Sequence, residues 1–256
     1  MQPCPPLYQL MSESSSTKAI IILDYDGTLA DFAPNPDVVI PDQQLISLLK
    51  CLINHENLKM AVVSGRRLGH IRELVPLKGI WLAGSYGLEM LNPDGKEINH
   101  LDYNQLRPGI EKIKPYWYDL IQGREDFYLE DKGWSIAIHA NGKNKAEVDD
   151  VLKMAKLISV PEGFLLQGNF HFLELCPPQG EKGQAVKYIL SEENCNQGLP
   201  IFIGDDDKDE DAFKEILKHD GLGIVVTQDE IISSANYFLP NPIKVREWLE
   251  EILNNL

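Results

Sequence analysis

The chain has 256 residues, 43% hydrophobic and 25% charged, enough to bury one or two substantial cores and ordinary for a globular protein. A formal net charge of −15 argues against nucleic acid or an anionic membrane as partner, because both reward clustered Lys and Arg. No apolar run approaches the roughly 20 residues that span a bilayer. Cys4, Cys51, Cys176 and Cys195 are scattered with no Cys-x-x-Cys pair, which excludes a zinc or disulfide framework and leaves free thiols in a reducing compartment, with cytoplasm as the default location.

Residues 1–17 contain Pro3, Pro5, Pro6 and the run Ser12 to Thr17, with neither a basic start nor an apolar stretch of the signal-peptide kind, and read as a loose tail. An apolar strand, Ile21 to Leu23, then runs into Asp24-Tyr25-Asp26-Gly27-Thr28. Two carboxylates one residue apart at a strand end supply a nucleophile and a proton donor, and the turn glycine lets backbone N–H groups approach a phosphate. Calcium loops share the Asp-x-Asp-Gly spacing, but they need further oxygen ligands and a closing Glu that the following residues lack. Leu45, Leu48, Leu49 and Leu52 follow at helical spacing. A second apolar run, Leu58 to Val63, ends in Ser64-Gly65-Arg66-Arg67, where a hydroxyl and the N–H groups after it hold a phosphoryl oxygen, or where Ser64 simply caps a helix. A third strand ends at Gly84.

Between about Tyr103 and Leu175 the pattern changes to α+β. Ile110, Ile113, Trp117 and Leu120 predict a helix perturbed by Pro115; Phe127–Leu129 and Trp134–Ile138 alternate as strands; Val148, Val151, Leu152 and Ala155 predict another helix, followed by strands around Gln167 to Asn169. Glu174 falls on one strand face with Phe170 and Phe172, where a carboxylate is costly without a partner such as a sugar hydroxyl.

Glu181-Lys182-Gly183 opens a further helix with a lysine able to hold nucleophile and phosphate together as a point charge. The strand Ile201 to Gly204 terminates in six acids among positions 205–211, followed by Ala212-Phe213. Such crowding disfavours ionisation unless a cation sits there. Asp205, first after the strand, is expected to hold it; Asp207, Glu210 and Asp211 belong to a helix start and face water. Asp209 lies one turn further on, close enough to orient water or the Ser64-Gly65 loop, and Asp206 is either a ligand or a residue behind the ligands.

Strands ending at Asp24, Ser64, Gly84 and Asp205 and alternating with helices predict an α/β fold, a doubly wound parallel sheet with its site outside the strands' carboxyl ends. The order and spacing of the four segments resemble the haloacid dehalogenase (HAD) superfamily. Within it, Asp24 to Leu29, Ser64-Gly65-Arg66, Glu130-Asp131-Lys132-Gly133, Glu174, Lys182-Gly183 and Gly204 to Phe213 resemble the trehalose-6-phosphate phosphatase family. The resemblance implies a HAD-like, Rossmann-like core over 18–103 and 178–256 and an inserted α+β cap of type C2B over 104–177, hinged near Leu101–Pro108 and Pro177–Gly180.

It also implies the chemistry. Asp24 attacks phosphorus and becomes an aspartyl phosphate, Asp26 protonates the departing sugar oxygen and then activates water, and Ser64 and Lys182 hold the phosphoryl oxygens. Mg2+ is bound by Asp24, the Asp26 backbone carbonyl and Asp205; Gly65, Arg66, Glu130, Lys132 and Glu174 bind the phosphorylated disaccharide. Several family cations are missing: arginine at Asn141, lysine at Phe170, arginine at Cys176 and histidine at Tyr86. Phe170 either stacks on a pyranose or is core. The alternatives are therefore phosphatases of other compatible-solute glycosides (sucrose 6-phosphate, glucosylglycerol phosphate, a glycosylglycerate phosphate), then a phosphomutase, and last a non-enzymatic cation-binding module. Nothing in the sequence sets the oligomeric state; Trp81, Trp117, Trp134 and Trp248 are more often core than interface, and a monomer is the working expectation.

Overall fold

The computed structural model describes residues 1–32, 39–141, 144–193 and 198–255, so Cys195 lies outside the described residues. The elements are, in chain order, β1 (Gln2–Pro3), α1 (Leu7–Ser14), β2 (Ala19–Leu23), α2 (Gln43–Ile53), β3 (Leu58–Val63), α3 (Leu68–Leu74), β4 (Trp81–Gly84), β5 (Glu89–Leu91) and β6 (Glu97–Asn99). They continue with α4 (Tyr103–Ile121), β7 (Phe127–Asp131), β8 (Ile136–Ala140), α5 (Lys145–Lys156), β9 (Leu165–Asn169), β10 (Phe172–Cys176) and α6 (Lys182–Glu192). Last come β11 (Leu199–Gly204), α7 (Glu210–Leu217), β12 (Leu222–Val226), β13 (Tyr237–Leu239) and α8 (Pro242–Asn255). Two compact units result, residues 1–98 with 181–256, and residues 99–180.

The first unit is built on a sheet of order β1-β13-β12-β11-β2-β3-β4-β5-β6, parallel from β1 to β4 with β5 antiparallel to β4. β2 is buried along its whole length, and its side chains alternate between two cores. Ala19, Ile21 and Leu23 pack with residues of α1, α2, α3 and α8; Ile20 and Ile22 pack with α6 and α7. Burial on both faces is why β2 reads as a continuous apolar run, the mark of an inner strand of a doubly wound sheet.

The amino-terminal segment differs from the expected loose tail. β1 pairs with β13, α1 buries Leu7, Leu10 and Met11 in the same core as β2, and Trp248 Nε1 donates to the Pro5 carbonyl at 2.9 Å. The i, i+3, i+4 spacing of those three apolar residues forms a stripe that the surrounding Pro and Ser obscure.

The second unit carries an antiparallel sheet of order β7-β8-β10-β9 backed by α4 and α5. Helix α4 begins at Tyr103 and runs through both Pro108 and Pro115, the proline expected to perturb it. Ile110, Ile113, Trp117 and Ile121 are buried along it, and that packing outweighs the roughly 3 kcal/mol cost of an interior proline. The whole helix lies within this unit, which spans Asn99 to Gly180. All four tryptophans are buried in the cores.

Candidate active site

Register assembles the core site. β11 lies beside β2 with Ile203 opposite Leu23, so the two chains leave the sheet together, Gly204 level with Asp24 and Asp205 one residue beyond, and the Asp24 amide extends the ladder by donating to the Ile203 carbonyl at 2.8 Å. β3 flanks β2 on the other side and delivers Ser64 to the same edge. Gly27, at φ +79°, packs so closely that a Cβ there would lie 2.2 Å from an Asp205 carboxylate oxygen; only glycine permits both the turn and the approach. Thr28 Oγ1 donates to Asp205 Oδ1 at 3.2 Å.

Lys182, the first residue of α6, is buried rather than solvated. Its ammonium lies 2.9 Å from Asp24 Oδ1 and donates to Asp209 Oδ1 at 2.6 Å. Asp209 is fully buried, and its other oxygen accepts from the backbone N–H groups of Asp205 at 2.9 Å and Asp206 at 3.1 Å. Both oxygens of Asp209 are thus committed to holding the lysine and the loop. Asp206 is exposed and caps the turn Asp207–Asp209 through the Lys208 N–H. Glu210 and Asp211 do not simply face water as expected: Glu210 holds Ser233 and the Ser234 N–H, and Asp211 accepts from the Gly183 N–H at 2.9 Å.

Ser64 is buried, and helix α3 starts only at Leu68, so this serine is not a helix cap. Its Oγ accepts from the Arg66 N–H at 3.1 Å. Arg66, expected on the substrate, grips Asp26: both carboxylate oxygens of Asp26 accept from the guanidinium at 2.6 Å. Bidentate pairing of this kind fixes Asp26 geometrically as well as electrostatically.

Carboxyl groups of Asp24, Asp205 and Asp209 present oxygens all within 4.8 Å of one another. Burial pushes the Asp24 carboxyl up to about 8, against the pull of Lys182 and with the push of Asp205. Asp205 is raised to about 7, by burial first and then by Asp209 and Asp206. Lys182, despite its burial, is held charged by Asp209 and Asp24. Hard oxygen donors that repel one another and are reluctant to ionise alone fit a divalent cation, with Asp24 and Asp205 as the carboxylates still able to serve it.

Within the second unit, the pairing of Glu130 and Glu174 with Ala137, and of Glu174 with Gln167, places these side chains on the sheet face away from Ile138 and Leu173, which pack against the helices. Glu174 is fully buried and accepts from Ser135 Oγ at 2.8 Å, Lys132 Nζ at 3.2 Å and Gln167 Nε2 at 3.2 Å. Lys132 also lies 3.6 Å from Glu130 and 5.3 Å from the Phe172 ring centroid. Glu130 Oε2 is 2.8 Å from His139 Nε2; burial would raise its carboxyl, but His139 and Lys132 outweigh that and lower it. Phe170, at the β9–β10 turn, is 80% exposed, which rules out its core placement, and Asn141 is exposed beyond β8.

The sequence reading missed His139, Ser135 and Gln167, whose only signal is alternation opposite Glu130 and Glu174. It also missed Glu89, which accepts from the Leu68 N–H at 2.8 Å and Ser85 Oγ at 3.0 Å and so braces the loop behind Ser64.

Comparison with known proteins places this geometry. The Trehalose-phosphatase family model matches residues 22–242. A probable trehalose-phosphate phosphatase D of Arabidopsis thaliana is 29% identical over 263 residues, covering 96% of this chain and 70% of that protein. Among solved structures, the C-terminal domain of C. albicans trehalose-6-phosphate phosphatase superposes with a TM-score of 0.83 at 17% identity, over 100% of this chain and 99% of that one. Sucrose-phosphatase from Synechocystis sp., solved with sucrose and phosphate, gives a TM-score of 0.55 at 18% identity, covering 93% of this chain and 98% of that one. The fold is therefore HAD-like, and the chain belongs to the trehalose-phosphatase family and is a phosphatase, a phosphoric monoester hydrolase.

Proposed function

We propose that the chain hydrolyses trehalose 6-phosphate to trehalose and phosphate, with Mg2+ as its divalent cation and Asp24 as nucleophile. The observation that carries this reading is the buried Asp24 carboxylate at the end of β2, 2.9 Å from the Lys182 ammonium and grouped with Asp205. Asp24 attacks phosphorus as the bond to the sugar oxygen breaks, and Asp26 gives that oxygen its proton. Asp26 then takes a proton from the water that attacks the aspartyl phosphate, which frees phosphate and restores Asp24. Ser64 and Lys182 hold the phosphoryl oxygens, and Asp209 keeps Lys182 aimed at them. Arg66 positions Asp26. Asp24, Asp205 and the Asp26 carbonyl would hold the Mg2+, which when bound would supply positive charge between nucleophile and phosphate.

The second unit serves as a sugar-recognising cap, in which Glu130 and Lys132 address the hydroxyls while Glu174 holds Lys132 in place. Among the described cysteines, Cys4 and Cys51 are free thiols, which supports a reducing, cytoplasmic setting. Among the described residues no helix is long and apolar enough to cross a membrane. A second reading, another phosphorylated glycoside as substrate, is favoured by the uncharged, exposed Asn141 and Phe170. Phosphate release with Mg2+ from equal concentrations of trehalose 6-phosphate, sucrose 6-phosphate, glucosylglycerol phosphate and glucose 6-phosphate decides between them. Preference for trehalose 6-phosphate supports the first reading, preference for another glycoside the second, and release from none overturns both.

A further inference from the structure

Two residues at the core site have no part in the chemistry above, and they touch each other. Tyr86 follows β4 at φ 58° and ψ 30°, directly after Ser85 at φ 50°. Two successive non-glycine residues in the left-handed region are held only when their surroundings over-determine them. Here the Ser85 N–H donates to the Arg66 carbonyl at 2.7 Å and the Tyr86 N–H to the Ser64 carbonyl at 2.9 Å, which ties the pair to the loop that presents Ser64. The Tyr86 ring consequently lies over Gly65, so closely that a Cβ on Gly65 would sit 2.7 Å from its Cζ.

From the other side comes Lys208, in the acidic turn between Asp205 and Asp209. Its ammonium donates to the Tyr86 hydroxyl at 2.7 Å and stands 4.3 Å from the ring centroid, a combined hydrogen bond and cation–π contact that fixes a normally mobile side chain. The charge balance of the site calls for such a cation. Asp26 is matched by Arg66, and Lys182 is shared between Asp24 and Asp209. Against Asp24, Asp205, Asp206 and Asp209, one lysine and one divalent cation leave a negative charge uncompensated before any phosphate arrives. The chain's net charge of −15 offers no help at longer range.

We propose that Lys208, clamped on the Tyr86 ring and hydroxyl beside Gly65, is an additional phosphate-binding residue of the core site, contacting the phosphoryl oxygens of substrate and product alongside Ser64. The inference rests on the phosphatase reading for its substrate, but it is testable with inorganic phosphate alone. Phosphate is titrated calorimetrically into the Mg2+-loaded protein at several salt concentrations, for wild type, Lys208→Met, Lys208→Arg and Tyr86→Phe. Lys208→Met should weaken phosphate binding about tenfold and flatten its salt dependence, Tyr86→Phe should weaken it about threefold, and Lys208→Arg should restore most of it. Mg2+ affinity should be unchanged in all three, which separates loss of a ligand from a disturbed fold. Wild-type affinity and salt dependence in Lys208→Met, or no phosphate binding by wild type, would overturn the proposal. A wild type that binds phosphate through Lys208 yet releases none from any sugar phosphate would overturn the phosphatase reading and leave Lys208 standing; normal turnover with phosphate binding indifferent to Lys208→Met would do the reverse.

Discussion

The core site and the polar face of the second unit each bury a lysine among carboxylates, yet they are electrostatically opposite. In the core, Asp24 and Asp205 are pushed up to about 8 and about 7, because burial and mutual repulsion exceed what Lys182 returns. In the second unit, on the opposite, helix-packed face, hydrogen bonds from Arg107 and Lys114 outweigh the burial of Asp131 and hold its carboxyl well below the usual range, while on the polar face Glu130 is lowered by His139 and Lys132. Glu174 there has a donor from each of three side chains. A cluster that satisfies itself maintains a shape; one that does not is waiting for a ligand of the missing charge.

The sharpest break of this contrast is Asp24→Asn, which should leave a folded protein with turnover reduced by on the order of 10³-fold or more in a phosphate-release assay. In the second unit the cost should appear in stability instead. Glu174→Leu takes from the buried Lys132 ammonium the nearer of its two carboxylates and leaves it Glu130 at 3.6 Å, and chemical denaturation should show a loss of about 3 kcal/mol. Arg66→Lys keeps the charge beside Asp26 but loses the bidentate grip; kcat should fall about tenfold and the pH–rate profile should shift, with the substrate KM changed less.

The two units should also answer pH with opposite signs. Asp24 and Asp205 bind protons more tightly folded than unfolded, so without metal their contribution is complete below their unfolded values near 4 and is lost as pH rises through about 7 and about 8. Asp131 and Glu130 are lowered on folding, so their contribution is present above about 4 and is lost as pH falls below it. Melting of metal-free protein should therefore move to higher temperature on mild acidification and turn down again in stronger acid. Asp205→Asn should flatten the first slope alone. The smallest effect expected is from Asn141→Arg, which supplies a cation the family pattern has there: a few-fold gain for trehalose 6-phosphate over the other sugars in competing turnover.

Legibility in the sequence follows the same divide. Strand ends followed by acids or a hydroxyl were readable because a parallel sheet places such residues on one edge, and Asp24, Ser64 and Asp205 do emerge there. Partner choice was not readable. Nothing local says that Arg66 turns to Asp26, that Asp209 spends both oxygens on Lys182 and its own loop, or that Lys208 folds onto Tyr86, since each pairing joins distant segments. The helix α1 was missed because Pro and Ser around Leu7, Leu10 and Met11 outweighed a short stripe, whereas the apolar spacing of Ile110, Ile113 and Trp117 made α4 legible despite its prolines.

The most direct test of an unfinished core is calorimetric titration of Mg2+ into chelator-treated protein at about pH 7 in buffers of different ionisation heat, which counts protons released on binding. Binding accompanied by proton release, abolished by Asp205→Asn and indifferent to Lys132→Met, is the expected result. Mg2+ that binds without releasing protons, or equally well to Asp205→Asn, would contradict the account.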